Sequence, residues 1–255
     1  MQLQEVLVSA AEMAAAEAAV SPSLRASIEM AYNNIKKFHE AQHQQELVLE
    51  TMPGVTCRRR SVPIQKVGLY VPGGTAPLFS TVLKLGIPAK LAGCKEIVLC
   101  TPPGAKGEVN PVILYTAKLV GIERVIKAGG AQAIAAMTYG TESVPAVYKI
   151  FGPGNQYVTA DKLVAAREGK AIDMPAGPSE VAVYADDTAV PAFVAADLLS
   201  QAEHGVDSQV VLVSTSEQMI KATEEEVATQ LAQLPRKDIA QKALENSVSV
   251  LVPTA

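Results

Sequence analysis

One histidine stands where a chain could hold a metal ion or a substrate. His204 ends the segment DLLSQAEH, in which Asp197 and Gln201 precede it. On a helix these three side chains share one narrow face, because steps of four and three residues nearly complete a turn. A neutral imidazole and an amide oxygen are both ligands for a borderline cation. On spacing alone a protonated histidine that caps the last carbonyls, before Gly205 ends the helix, is favoured, since glutamine is a rare ligand.

A second arrangement of histidines matches the zinc-protease pattern HExxH at residues 39–43, with Glu40 in the position of the general base. Its neighbours are polar, among them Lys36, Lys37 and Gln44. A zinc-binding helix should instead be flanked by apolar residues that bury it. We therefore favour an exposed amphipathic helix without metal.

The cysteines lack the partners that a nucleophile needs. Cys94 and Cys100 flank an apolar run, with no adjacent histidine to form a thiolate, so we predict unreactive core thiols. With Cys57 they form no CxxC pair and no even framework. This pattern favours a reducing compartment.

A stiff turn in the segment DMPAGPSEV, residues 173–181, presents Ser179 and Glu180 immediately before a predicted strand. A rigid loop of this kind suits substrate positioning. A tight connection in which Ser179 is only a turn residue is the alternative, and the sequence leaves both open.

From Lys66 onward the sequence predicts the scaffold for these residues. Runs of Val, Ile and Leu predict strands at 67–71, 96–100, 124–127, 148–151, 181–185, 209–213 and 248–252. Helical patterns lie between them at 79–92, 109–120, 131–138, 155–167, 190–203 and 216–233. The alternation predicts a mostly parallel sheet covered on both sides. Upstream, we predict helices at 10–20 and 23–45 and a hairpin or extended connection at 53–65.

Three of the predicted strand-to-helix turns are rich in glycine, at residues 71–78, 127–134 and 151–158. Glycine permits a positive φ and close approach of a ligand, and the following helix offers N–H groups to an anion. None is a clean GxGxxG, and Tyr157 stands where that pattern needs a small residue. A nucleotide crevice and a purely structural role are about equally supported.

Composition and charge exclude some classes of binding partner. The chain has 255 residues and a net charge of −4, which argues against nucleic acid because phosphate neutralisation needs clustered Lys and Arg. The longest uncharged stretch, residues 67–83, is broken by Pro and Gly and does not predict a membrane span. The first twenty residues lack the basic start of a signal peptide. We predict a cytoplasmic protein with neither nucleic acid nor membrane as partner.

Several long runs together resemble the histidinol dehydrogenase family. They cover residues 30–42, 68–103, 128–162, 172–187 and 195–213. The likeness rests on unbroken stretches rather than on one short motif. It implies a zinc-dependent, NAD-using homodimer that oxidises L-histidinol through L-histidinal to L-histidine. It also implies an α/β fold of two incomplete Rossmann-like three-layer domains, with mostly parallel sheets preceded by N-terminal helices.

The resemblance gives six residues a role. It implies that NAD is contacted by Tyr70, Gln132 and Asn155, the substrate by Ser179, and both zinc and substrate by Gln201 and His204. It assigns no metal to the HExxH segment and no ligand role to Asp197. It also divides the chain into a helical N-terminal part of the first domain, an NAD-side Rossmann-like domain and a return to the incomplete first domain, at residues 1–66, 67–178 and 179–255.

The family pattern continues past the strand predicted at 248–252, and it begins before this sequence does. The resemblance places a Glu-His acid/base pair, two further zinc ligands and a substrate-binding Glu in that later part, and no catalytic residue within this chain. General acid–base catalysis contributes about two to four orders of magnitude, so we expect the 255-residue polypeptide to be inactive or nearly so. A truncated, non-catalytic paralogue that acts as a binding or interaction module is the alternative.

Overall fold

The N-terminal part of the chain consists of two helices and a hairpin. The computed structural model describes residues 5–73, 78–175 and 180–254, in two compact units, Met1–Ala176 and Gly177–Ala255. The first elements are α1 (Ala10–Ala19), α2 (Pro22–Glu40), β1 (Leu47–Met52) and β2 (Val55–Arg59). The hydroxyls of Ser9 and Ser21 accept backbone N–H bonds and cap the two helices.

A five-stranded parallel sheet forms the centre of the first unit. Its elements are β3 (Lys66–Tyr70), α3 (Phe79–Leu91), β4 (Glu96–Thr101), α4 (Pro111–Val120), β5 (Arg124–Lys127), α5 (Gly130–Tyr139), β6 (Lys149–Phe151), α6 (Gln156–Arg167) and β7 (Ala171–Ile172). The strand order is β5-β4-β3-β6-β7. The chain therefore moves outward from β3 in one direction and then returns to its other side. This is the order of a Rossmann sheet, with its switch point between β3 and β6.

Apolar clusters cover both faces of this sheet. Side chains of β4 alternate between them, with Leu99 in one cluster and Val98 in the other, because successive side chains of a strand point to opposite faces. Helices α1 to α4 contribute to the first cluster, and α5 and α6 to the second. The first unit thus has a helix layer on each side of its sheet.

The second unit contains a smaller parallel sheet. Its elements are β8 (Glu180–Ala185), α7 (Pro191–Ala202), β9 (Gln209–Ser214), α8 (Glu217–Leu231), α9 (Lys237–Leu244) and β10 (Val248–Leu251). The strands are ordered β10-β9-β8. One apolar cluster joins the sheet to its helices, where Val210 and Leu212 of β9 meet Leu198 of α7 and Met219 of α8.

The predicted fold class is confirmed: an α/β chain with mostly parallel sheets, preceded by N-terminal helices. All seven predicted strands are present. The prediction of a helix through residue 45 is wrong, because α2 ends at Glu40 and the polar residues that follow are exposed and gain no burial from a further turn. The three-part division of the chain stays a prediction.

Within the described ranges, no helix is long and apolar enough to cross a lipid bilayer.

Candidate functional site

The three residues predicted to contact NAD lie at one edge of the first unit's sheet. Tyr70 is the last residue of β3, Gln132 lies in the first turn of α5, and Asn155 is the N-cap of α6. All strands of this sheet are parallel, so these positions share its carboxyl edge. Ligands of open α/β sheets bind at this edge, in the crevice at the switch point.

Tyr70 ties β3 to the turn that begins α5. Its side chain is buried, and its hydroxyl accepts a hydrogen bond of 3.0 Å from the Gly130 N–H. Gly130 has φ of 61°, a conformation that favours glycine. The exposed Gln132 follows two residues later. The structure therefore brings Tyr70 together with the turn that carries Gln132.

Asn155 and the start of α6 border the switch point from the β6 side. The side-chain oxygen of Asn155 accepts a bond of 3.1 Å from the Val158 N–H, which caps the helix. The first turn of a helix carries N–H groups without partners inside the helix and a partial positive charge. An anion such as a pyrophosphate is therefore favoured at this end of α6.

Pro102, which follows β4, explains the glycines of two turns. A Cβ at Gly73 would overlap Pro102 Cγ, and one at Gly129 would lie 2.5 Å from Pro102 Cβ. Packing alone therefore demands glycine at both positions, which is the structural role that the sequence left open. Residues 74–77 of the first turn lie outside the described residues.

Tyr157 does not obstruct the third turn. Its side chain is 68% exposed, so it does not pack against the sheet. The close approach falls on Gly154 instead, where a Cβ would lie 2.5 Å from Val158 Cβ. The departure from GxGxxG is therefore compatible with a tight turn at this place.

A partly buried ion pair holds the turn after β6. The Gly152 N–H donates to Asp173 Oδ2 at 2.8 Å, and the Gly152 carbonyl accepts from Lys162 Nζ at 2.9 Å. Lys162 and Asp173 also form an ion pair with each other. Sequence reasoning missed both residues. The signal was the position of Lys162 on α6, on the same helix face as the buried Val158 and Ala165.

The residues predicted to bind zinc and substrate lie in the second unit. Helix α7 ends at Ala202, and Glu203 is its C-cap. His204 follows in a turn, and its backbone N–H donates to the Gln201 carbonyl at 3.1 Å. The expectation that Gly205 ends the helix is wrong, since the helix stops earlier and Gly205 has no positive φ. Helix α7 connects the parallel strands β8 and β9, so its C-terminal end lies where β9 begins. These residues therefore lie at the amino edge of the sheet.

The two ring nitrogens of His204 serve different purposes. Nδ1 lies 3.0 Å from the carbonyl oxygen of Ser200, one of the last carbonyls of α7. A carbonyl only accepts, so this contact places a proton on Nδ1, and in the neutral ring the lone pair is on Nε2. A neutral imidazole can therefore cap the helix through Nδ1 and still offer Nε2 to a metal, which the protonated cap favoured from the sequence could not do.

In this pair the imidazole of His204 is a common zinc ligand, whereas the amide of Gln201 is a rare one. His204 is exposed, Gln201 is half-buried, and a ligating histidine commonly donates its other N–H to a backbone carbonyl. Among residues 5–73, 78–175 and 180–254, no group of three or more His, Cys, Asp or Glu is placed to hold a metal ion. Ser179, predicted to contact the substrate, lies outside the described residues, and Asp197 is exposed on α7.

The HExxH segment does not form a metal-binding helix. α2 ends at Glu40, so His43 lies beyond the helix and the two histidines do not share a helical face. His39 Nδ1 instead contacts Gln42 Oε1 at 2.7 Å. The geometry that a zinc protease needs is therefore absent from these described residues.

The three thiols should differ in reactivity. Burial raises the pKa of Cys100 to about 12 and also raises the pKa of Cys94, whereas Cys57 is exposed. Only the thiolate reacts. With Ellman's reagent at mildly alkaline pH we expect the native chain to release rapidly the equivalent of one thiol, which Cys57→Ser abolishes, and the unfolded chain all three. Rapid native reaction of Cys100 would contradict the burial of this thiol.

Comparison with known proteins identifies close relatives. The family model described as histidinol dehydrogenase matches residues 1–255. The histidinol dehydrogenase of Bacteroides thetaiotaomicron is 60% identical over 250 residues, which are 98% of this chain and 58% of that protein. That of Xanthomonas euvesicatoria is 57% identical, over 99% of this chain and 59% of that protein.

Solved structures agree with the sequence relatives. The crystal structure of histidinol dehydrogenase from Elizabethkingia anophelis has a TM-score of 0.97 and 58% identity, and the match covers 99% of this chain and 58% of that one. An NAD-dependent aldehyde dehydrogenase from Sinorhizobium meliloti, with a TM-score of 0.58 and 18% identity, shares the fold alone. The chain thus spans somewhat over half the length of its close relatives.

Proposed function

Because the chain belongs to the histidinol dehydrogenase family, we propose that it binds NAD through its first unit and L-histidinol with zinc through its second. The observation that carries the NAD proposal is the switch point between β3 and β6, which Tyr70 and Asn155 border. Open α/β sheets bind their ligands at such a switch point. A cytoplasmic homodimer is part of the same proposal and rests on the family resemblance alone.

In this proposal each element of the first unit has a defined task. Tyr70 holds the α5 turn through its hydroxyl, so that Gln132 is presented at the carboxyl edge. Asn155 keeps α6 capped while the N–H groups of that helix face the anionic part of the ligand. NAD, when bound, supplies the hydride acceptor.

In the second unit, Gln201 and His204 would hold zinc and the substrate. The Ser200 carbonyl orients the imidazole through Nδ1, which directs Nε2 to the ligand. Zinc, when bound, supplies a Lewis acid that polarises an oxygen of the substrate. Ser179 is proposed as a further substrate contact.

We test the NAD site by changing the charge of a helix cap without removing the cap. Aspartate caps helices about as well as asparagine, so Asn155→Asp should leave the melting temperature unchanged. It adds a negative charge beside the proposed pyrophosphate position. The dissociation constant for NAD⁺, measured by calorimetry, should therefore rise about fivefold, the factor that corresponds to about 1 kcal/mol for a charge at a helix N-terminus.

Asn110→Asp is the matched control. Asn110 is also the N-cap of its helix, α4, with its side-chain oxygen 2.9 Å from the Val112 N–H. Helix α4 packs on the opposite face of the sheet from α6. This variant should change the NAD⁺ dissociation constant by less than about twofold, since a charge on that face is screened by solvent. Equal effects of both substitutions, or no NAD⁺ binding by the parent chain, would refute the proposed site.

A further inference from the structure

Gly152 is held by both of its peptide groups. Asp173 accepts its N–H, Lys162 donates to its carbonyl, and the two side chains are paired with each other. The three groups thus form a closed network around a single backbone residue. That residue is the first one after β6, at the switch point, where no sheet partner holds the chain.

The network joins three elements. Lys162 lies in the middle of α6, Asp173 follows β7, and the Asp173 N–H donates to the Ile150 carbonyl of β6 at 3.1 Å. The Lys162 side chain is 5% exposed and that of Asp173 is 29% exposed. The path of the turn from Gly152 to Asn155 is therefore fixed relative to β6, β7 and the helix that follows.

A contribution to the stability of the fold does not by itself explain why this ion pair is present. The cost of removing two charges from water often equals or exceeds their attraction, and apolar residues of similar volume replace buried pairs without loss of stability. What an apolar replacement does not provide is a donor and an acceptor for Gly152. Through these hydrogen bonds the pair fixes the geometry of the turn.

We propose that Lys162 and Asp173 are positioning residues of the dinucleotide site. Their ion pair sets the Gly152 to Asn155 turn, which presents the Asn155 side chain and the first N–H groups of α6 to the ligand. Neither side chain touches the ligand. The inference rests on the proposed function, since it assumes that NAD binds at this turn.

The decisive variant replaces the pair as a unit. Lys162→Met with Asp173→Leu approximates the shapes of the two side chains, removes both charges and leaves no unpaired buried charge. We expect this variant to fold, with a moderately lower melting temperature because the buried Gly152 N–H and carbonyl lose their partners. The NAD⁺ dissociation constant should rise by at least about tenfold, the loss seen when groups that orient ligand contacts are removed. Asp173→Glu alone, which keeps the carboxylate at a partly exposed position, should retain most of the parent chain's affinity for NAD⁺.

The control is the exposed ion pair of Lys118 with Glu17, at 2.7 Å between α4 and α1. Lys118→Met with Glu17→Leu also removes a pair between two elements of the first unit, and it should leave NAD⁺ affinity unchanged. If the parent chain binds NAD⁺ and the Lys162/Asp173 double variant binds it equally well, the assignment of the pair is overturned. If the parent does not bind NAD⁺, the proposed function fails and the assignment falls with it.

A measurement on the parent chain covers the case in which the double variant does not fold. A turn that is positioned before the ligand arrives should protect the Gly152 N–H from hydrogen exchange in the absence of NAD⁺. Exchange of this amide at the rate of an unstructured peptide would overturn the proposal.

Discussion

Gly152→Ala is expected to lower the free energy of unfolding by about 4 kcal/mol or more, since a strained backbone and overpacking each cost about 1–3 kcal/mol. Gly152 has φ of 142°, which side chains rarely adopt. A Cβ there would lie 2.9 Å from the Tyr70 carbonyl carbon and closer still to its oxygen. Backbone atoms of a central strand have no room to move. The melting temperature should fall by about 8 °C or more, with loss of NAD⁺ binding.

Gly169→Ala separates the cost of the positive φ from the cost of the close contact. Gly169 also has a positive φ, of 81°, but a Cβ there would meet nothing within 4 Å. This variant should lose only about 1 kcal/mol, the cost of the left-handed conformation for alanine. Thermal unfolding followed by circular dichroism measures both. If Gly152→Ala were as stable as Gly169→Ala, the close approach of the turn to β3 would be incorrect.

The central strands of the first unit's sheet were predictable because they are buried on both faces. Runs such as residues 96–100 are continuously apolar, since each face of a central parallel strand meets a helix layer. Strand β7 was missed because two residues at a sheet edge carry no pattern. Helix α9 was missed because it has only eight residues, of which half are polar and only Ala240 and Ala243 are buried.

The candidate site was predictable only where a short sequence motif indicates it. Glycine turns and their positions after strands indicated the carboxyl edge of the sheet. The partners of Gly152 lie ten and twenty-one residues away, and their contact depends on how α6 and β7 fold back. Lysine is rarely buried, so composition argues against a role for Lys162 inside the molecule. Only its place on the buried face of α6 could have suggested one.

We also expect a large effect on the rate at which L-histidinol is oxidised. The 255-residue polypeptide should produce NADH at least about a hundredfold more slowly than a full-length relative, because general acid–base catalysis contributes about two to four orders of magnitude. The family resemblance assigns the proton acceptor to no residue of this polypeptide. The carboxylates nearest to His204 in sequence are Glu203, which caps α7, and Asp207, beside Gly205.

Addition of the remaining part of a relative tests the same idea in the opposite direction. The chain aligns with 58% of the Bacteroides thetaiotaomicron protein, so a polypeptide with the rest of that sequence would supply the missing groups. Restored NADH production, measured at 340 nm, is the expected result. His204→Ala should prevent the restoration, whereas His39→Ala, at a histidine engaged with Gln42, should not. Efficient turnover by the 255-residue polypeptide alone would mean that one of its own carboxylates or histidines accepts the proton, and Glu203 and Asp207 would then be the first residues to replace.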